Sequence, residues 1–106
     1  MGSLRYGRPA QELKIEDRTL AHLKIVIIDK LRRNESFPFS FVYDDGPDGA
    51  LNTIWIHPNV PLQFRFDGSR RPTINVVWLE ELIILANSVS GLRIVPEPES
   101  PGESLT

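Results

Sequence analysis

The sequence predicts a single α+β domain: a two-layer sandwich in which two helices cover one face of a mainly antiparallel sheet. Two segments carry a helical apolar stripe, several short segments alternate apolar and polar residues as strands do, and turn residues punctuate the junctions. Read in order, the elements are β-β-α-β-β-β-α-β.

Residues 4–7 and 12–15 read as short strands joined by the turn Gly7-Arg8-Pro9-Ala10. Leu13 and Ile15 point one way, Glu12 and Lys14 the other. Asp17 is the expected N-cap of a first helix that runs to about Asn34, with the apolar stripe Leu20, Leu23, Ile27 and Leu31. Lys30, Arg32 and Arg33 fall in its last turn, where cations complement the helix dipole.

Three strands come next. Phe37, Phe39, Phe41 and Tyr43 alternate with Pro38, Ser40 and Val42, and Asp44-Asp45-Gly46-Pro47-Asp48-Gly49 supplies a turn. Ile54 and Ile56 alternate with Thr53, Trp55 and His57. After Pro58-Asn59-Val60-Pro61, Leu62, Phe64 and Phe66 alternate with Gln63 and Arg65. Asp67-Gly68-Ser69-Arg70-Arg71-Pro72 is a basic loop, and Thr73 or Asn75 caps a second helix over roughly 75–88. Its core stripe is Trp78, Leu79, Leu82, Leu85 and Ala86, and Gly91 is placed as its C′ residue. Residues 92–95 form a last strand. The domain is expected to span 1–95, with 96–106 a flexible tail rich in Pro, Glu and Ser.

At 106 residues the chain is long enough for one core, and its 41% hydrophobic and 25% charged residues are ordinary for a globular domain. A net charge of -2 provides no global basic field, so any nucleic-acid affinity has to come from local clusters. The absence of cysteine excludes disulfides, thiolate metal sites and Cys nucleophiles. Apolar runs such as Ile25-Val26-Ile27-Ile28 fall far short of the ~20 residues of a spanning helix, and no signal-peptide core follows Met1. A cytoplasmic protein is expected, with no membrane partner.

If Phe39, Ile54, Ile56, Phe64 and Phe66 face the core, then Ser40, Thr53, Trp55, His57, Gln63 and Arg65 share the opposite face of three adjacent strands. A Trp beside a His and an Arg on an open sheet has the composition that stacks unpaired bases. A Trp in that place also serves to cover a sheet edge or to meet another subunit. Arg32, Arg33, Arg70 and Arg71 are candidate phosphate contacts.

No phosphate-cradling glycine loop occurs, and the acidic turn lacks calcium-loop spacing. His22, on the polar side of the first helix, and His57 lie on different elements. No catalytic group, metal site or cofactor is therefore expected. On the second helix Val77 and Ile84 lie close to the solvent face marked by Glu80 and Glu81, a pattern that a homodimer contact explains.

The stretches Leu4-Arg5-Tyr6-Gly7, Asp17-Arg18-Thr19-Leu20-Ala21-His22-Leu23, Lys30-Leu31-Arg32-Arg33-Asn34-Glu35-Ser36-Phe37, Ile54-Trp55-Ile56-His57-Pro58 and Pro61-Leu62-Gln63-Phe64-Arg65-Phe66, extended by Asn75, Trp78 and Ala86-Asn87-Ser88, resemble a family of small actinobacterial proteins. Members often carry the label ATP-dependent DNA ligase. Ligase adenylation needs a lysine in a Lys-x-Asp-Gly setting. Here Asp45-Gly46, Asp48-Gly49 and Asp67-Gly68 have no lysine two positions upstream, and no lysine follows Lys30. What the resemblance implies is an association with DNA transactions, as an accessory module. The leading expectation is accordingly a non-enzymatic binding module that engages DNA or RNA through Trp55, His57, Gln63, Arg65 and the Arg70-Arg71 loop. The rival is a protein-interaction or regulatory homodimer without nucleic-acid affinity.

Overall fold

The computed structural model describes residues 1–43 and 49–99. The acidic turn expected at Asp44 to Asp48 and the tail beyond Glu99 lie outside the described residues. The described elements are β1 (Gly2–Tyr6), β2 (Gln11–Ile15), α1 (Asp17–Arg32), β3 (Phe37–Tyr43), β4 (Ala50–Ile56), β5 (Leu62–Arg65), α2 (Val76–Ala86) and β6 (Leu92–Arg93). The fold is α+β, in the order that the periodicities predict.

The strands are shared between two three-stranded sheets, β2-β1-β5 and β4-β3-β6. The first is antiparallel throughout; in the second, β4 is antiparallel and β6 parallel to β3. Sequential strands usually neighbour each other, yet β5 leaves β4 and pairs with β1. The connection explains the departure. The Asn59 N–H donates to His57 Nδ1 at 3.0 Å and the Val60 N–H to the His57 carbonyl at 3.1 Å, which turns the chain away from β4. The Gly7 N–H then meets the Pro61 carbonyl at 3.1 Å, and Leu62 falls into register opposite Tyr6. The Tyr6 hydroxyl donates to the Trp55 carbonyl and so ties β1 to β4 across the two sheets. Burial pushes that phenol above its ordinary value.

α1 packs against β1 and α2, and α2 against β6 and β3. Leu4, Leu20, Leu23, Ile27, Phe39, Ile56, Leu82 and Leu92 are fully buried in one continuous core. Burying a Leu, Ile or Phe side chain is worth roughly 1.5–3 kcal/mol each, so this cluster dominates the favourable side of folding.

The helix ends differ from expectation in instructive ways. Asp17 is the first residue of α1, not its cap; the N-cap is Glu16, with no side-chain hydrogen bond. The Asp17 carboxylate instead accepts from the Asp67 N–H (3.2 Å) and the Gly68 N–H (3.0 Å), anchoring the loop after β5. α1 ends at Arg32, before Asn34, which takes a left-handed φ of 60°. Of the two expected caps of α2 it is Asn75, not Thr73, that serves, accepting from the Val77 and Trp78 N–H groups at 3.1 and 3.3 Å. The C-cap of α2 is Asn87, so Gly91 is not its C′ residue. Gly91 instead occupies the turn into β6 at φ +84°, packed against Pro38.

Lys30 does more than complement its own helix. It is buried, and its ammonium donates to Asn87 Oδ1 and pairs with Glu35, both at 2.9 Å, so it joins the ends of α1 and α2.

Candidate interaction surface

The outer face of the β4-β3-β6 sheet is built by strand phase. Pro38, Ser40 and Val42 alternate with the buried Phe37 and Phe39, and register sets them opposite Trp55, Thr53 and Leu51. Arg93 of β6 falls beside Ser40, so one row reads Thr53, Ser40, Arg93. The Thr53 and Ser40 hydroxyls bond across the strands at 2.9 Å. On either side of that polar row the face is apolar: Trp55, opposite Pro38, is 58% exposed, and Leu51 and Val42 form a cross-strand pair at 73% and 66% exposure.

Trp55, Thr53 and Ser40 thus share one open face, as the alternation predicts. Gln63 and Arg65 do not join it. They sit on β5 in the other sheet, where Gln63 is opposite Arg5, itself opposite Glu12, and Arg65 is opposite Ser3, itself opposite Lys14. The expected face of three adjacent strands is therefore divided, because β5 found its partner in β1. His57 is half-buried and spends Nδ1 on the turn it begins. Arg70 and Arg71 are exposed on the loop held by Asp17, and Arg32 is exposed at the end of α1. Arg33 is engaged with Asp29 at 2.8 Å and Glu35 at 3.8 Å. On α2, Val77 is half-buried while Ile84 is 69% exposed, with Val76 and Ile83 also exposed.

His22 is the largest departure. Expected on the polar side of α1, it is fully buried, because α2 packs over that side. The Asn75 N–H donates to His22 Nε2 at 2.8 Å, which requires a lone pair there, so the proton sits on Nδ1 and is donated to the Arg18 carbonyl at 2.7 Å. The ring lies 4.5 Å from that of Trp78. Around this histidine, Arg18 grips Glu97 with two bonds of 2.7 and 2.6 Å and donates to the Thr73 carbonyl at 2.7 Å. Asn75 Nδ2 bonds Glu97 and the Pro98 carbonyl at 2.9 and 2.8 Å. Residues 96–99, the start of the expected tail, are therefore anchored on both helices. The one signal in the sequence is Asn75 as a capping residue; its partners are 53 and 22 positions away.

Hydrogen bonds from Arg18 and then Asn75 lower the Glu97 carboxyl from 4.5 to about 2. Because the folded value is depressed, the clamp is complete above the ordinary carboxylate value and is lost as pH falls from there towards about 2. An NMR titration of the amides of residues 96–99 is expected to show release centred near pH 2, where Glu97 protonates in the folded chain, and Glu97→Gln to abolish the step. A flat profile in the native protein would count against the clamp.

A groove of about 810 Å³ borders the open face, lined by residues 12–15 of β2 and, from the second sheet, by Ser40, Val42, Leu51 and Arg93, with Ile94 beside them. Among the described residues no group of three or more His, Asp or Glu side chains is placed to hold a metal ion, and no helix is long and apolar enough to cross a membrane. The arrangement offers apolar and aromatic contact area, two hydroxyls and one guanidinium, which is chemistry for recognition.

No curated protein and no solved structure matches the chain. A family model does match residues 1–97, the whole of the fold up to the Glu97 clamp. The chain belongs to the family described as domain of unknown function DUF7882.

Proposed function

We propose that this domain is a non-enzymatic protein-binding module whose docking surface is the outer face of the β4-β3-β6 sheet. The observation that carries the reading is the exposure of Trp55, Val42 and Leu51 together on one face, around Thr53, Ser40 and Arg93. Isolated exposed apolar residues are ordinary, but large ones gathered on a sheet face mark contact sites. Trp and Arg are the residues that most often anchor protein interfaces.

Two further observations support it. Both histidines are committed to the scaffold through the bonds described above, which leaves little for acid–base chemistry. The cations expected to track a nucleic-acid backbone are distributed over β5, the 67–72 loop and the end of α1, whereas Arg93 is the cation on the Trp55 face. Phosphate-driven affinity needs such charges to converge. The DNA association implied by the ligase-labelled actinobacterial proteins would then be an association with a protein of that apparatus.

Photo-crosslinkers placed at Thr53 and, for comparison, at Glu80 on α2 test the docking face in cells. One protein captured from position 53, lost on Trp55→Ala and not captured from position 80, is the expected result. Trp55 is mostly exposed, so Trp55→Ala should change stability by no more than about 1 kcal/mol. Salt-sensitive oligonucleotide binding that disappears on Trp55→Ala would overturn the reading in favour of nucleic acid.

A further inference from the structure

The groove beside β2 deepens the protein-docking reading, and the role assigned to it rests on that reading. β2 is hydrogen-bonded to β1 along one edge, and no described strand pairs with the other. The groove meets Leu13, Lys14 and Ile15 in succession. Successive residues of a strand point to opposite faces. A cavity that meets all three therefore runs along the strand's edge, where unpaired main-chain N–H and C=O groups project. From the second sheet the groove receives Val42 and Leu51, both mostly exposed, together with Ile94. The pairing of β6 with β3 stops at Ser40 and Arg93, so the groove begins where that pairing ends.

We propose that an extended segment of a partner protein docks in this groove by strand addition, pairing its backbone with the open edge of β2. Main-chain bonds supply the affinity in such complexes and pockets for alternate side chains supply the specificity. Here the exposed apolar surfaces of Val42, Leu51 and Ile94 select a segment with apolar residues at every second position. Charge selects further. Lys14 lies 3.7 Å from Glu12 on its own strand, while Arg93 is exposed and has no ion-pair partner among the described residues. The segment therefore carries a carboxylate against Arg93. A cavity of about 810 Å³ is within the usual range for a bound ligand, and a five-residue strand is about 17 Å long. A second copy fits less well, because its β2 edge is recessed in the same way and two hollows would face each other.

The probe is a blocked heptapeptide in which valine and threonine alternate around a central glutamate, followed in the amide NMR spectrum of the full chain. Shifts are expected at residues 13–15, 42 and 93. Val42→Lys, at an exposed position that leaves folding intact, should weaken binding by about tenfold or more. A peptide N-methylated along its pairing edge should fail to bind. Arg93→Glu should weaken the glutamate peptide and strengthen its lysine counterpart. Equal binding by the N-methylated peptide, or no shifts along β2, would overturn strand addition. Loss of binding on Trp55→Ala with Val42→Lys silent would also overturn it while leaving the protein-docking face standing. Loss of the position-53 crosslink, by contrast, would sink that wider reading whatever the peptide does. A dimer of the free chain that Val42→Lys dissociates would assign the groove to a second copy and overturn the partner segment.

Discussion

Gly91→Ala is expected to destabilise the domain by about 2 to 6 kcal/mol, combining left-handed strain of about 1–3 kcal/mol with overpacking of similar size. Gly91 holds φ +84°, a region that a side chain rarely occupies. A Cβ there would lie 2.4 Å from Pro38 Cγ and 2.5 Å from the Pro38 carbonyl oxygen. Neither atom yields easily, since one belongs to a rigid ring and the other to the β3 backbone. Relief would have to come from moving Gly91, which leads directly into the Leu92–Phe39 pairing and hence into the core. For a domain whose net stability is about 5–15 kcal/mol, that is a large fraction of the whole. Gly68→Ala provides the comparison: its Cβ would come no closer than 3.6 Å to the Asp17 carboxylate. Urea unfolding of the two variants checks the claim, and a Gly91→Ala midpoint equal to that of Gly68→Ala would defeat it.

The second large effect is at His22. His22→Ala should cost about 3–5 kcal/mol, the usual range for emptying a large ring site in a core. His22→Leu separates the contributions. It retains an apolar volume against Trp78 but cannot accept the Asn75 N–H, so it should still cost about 1–3 kcal/mol for the unsatisfied buried donor. Hydrogen exchange at the Asn75 amide is the direct readout. That amide should be protected in the native protein and exchange at least about tenfold faster in His22→Leu, since 1.4 kcal/mol corresponds to one decade. If exchange at Asn75 is unchanged, the imidazole is packing volume and no more. The position matters beyond its own energy. Asn75 starts α2, and through Glu97 it also holds residues 96–99, so losing the imidazole should loosen both at once.

Neither effect is visible to local pattern. A glycine just past a helix has the signature of a cap, yet α2 closes at Asn87 and Gly91 is required by the approach of Pro38 from β3. His22 shares its helix face with Arg18 and Thr19 one turn before and with Ile25 and Val26 one turn after, a mixed pattern that does not decide between solvent and core. Its burial arises because α2 covers that side, and nothing within α1 encodes where α2 will pack. Asp17 illustrates the same point at shorter range: a carboxylate at a helix start is a sound cap candidate, but the loop at Asp67 and Gly68 competes for it and obtains it.

Local pattern was enough to specify the α+β class, the order of the elements, a cap of α2 at Thr73 or Asn75 and the phase of β2 to β5, including the outward placement of Ser40, Thr53 and Trp55. These arise from side-chain periods of 2 and 3.6 residues and from end capping, all of which act within a few residues of chain. Long-range packing was needed to join β5 to β1, which takes Gln63 and Arg65 away from Trp55, and to bring Arg93 to it through β6. Packing likewise buried His22, joined Arg18 to Glu97 across 79 positions, and left the edge of β2 facing a groove. Alternation states which face of a strand must be buried, but not against what. Which strand becomes the neighbour is settled by competition among long-range pairings and buried contacts, and that competition is resolved only when the whole chain has packed.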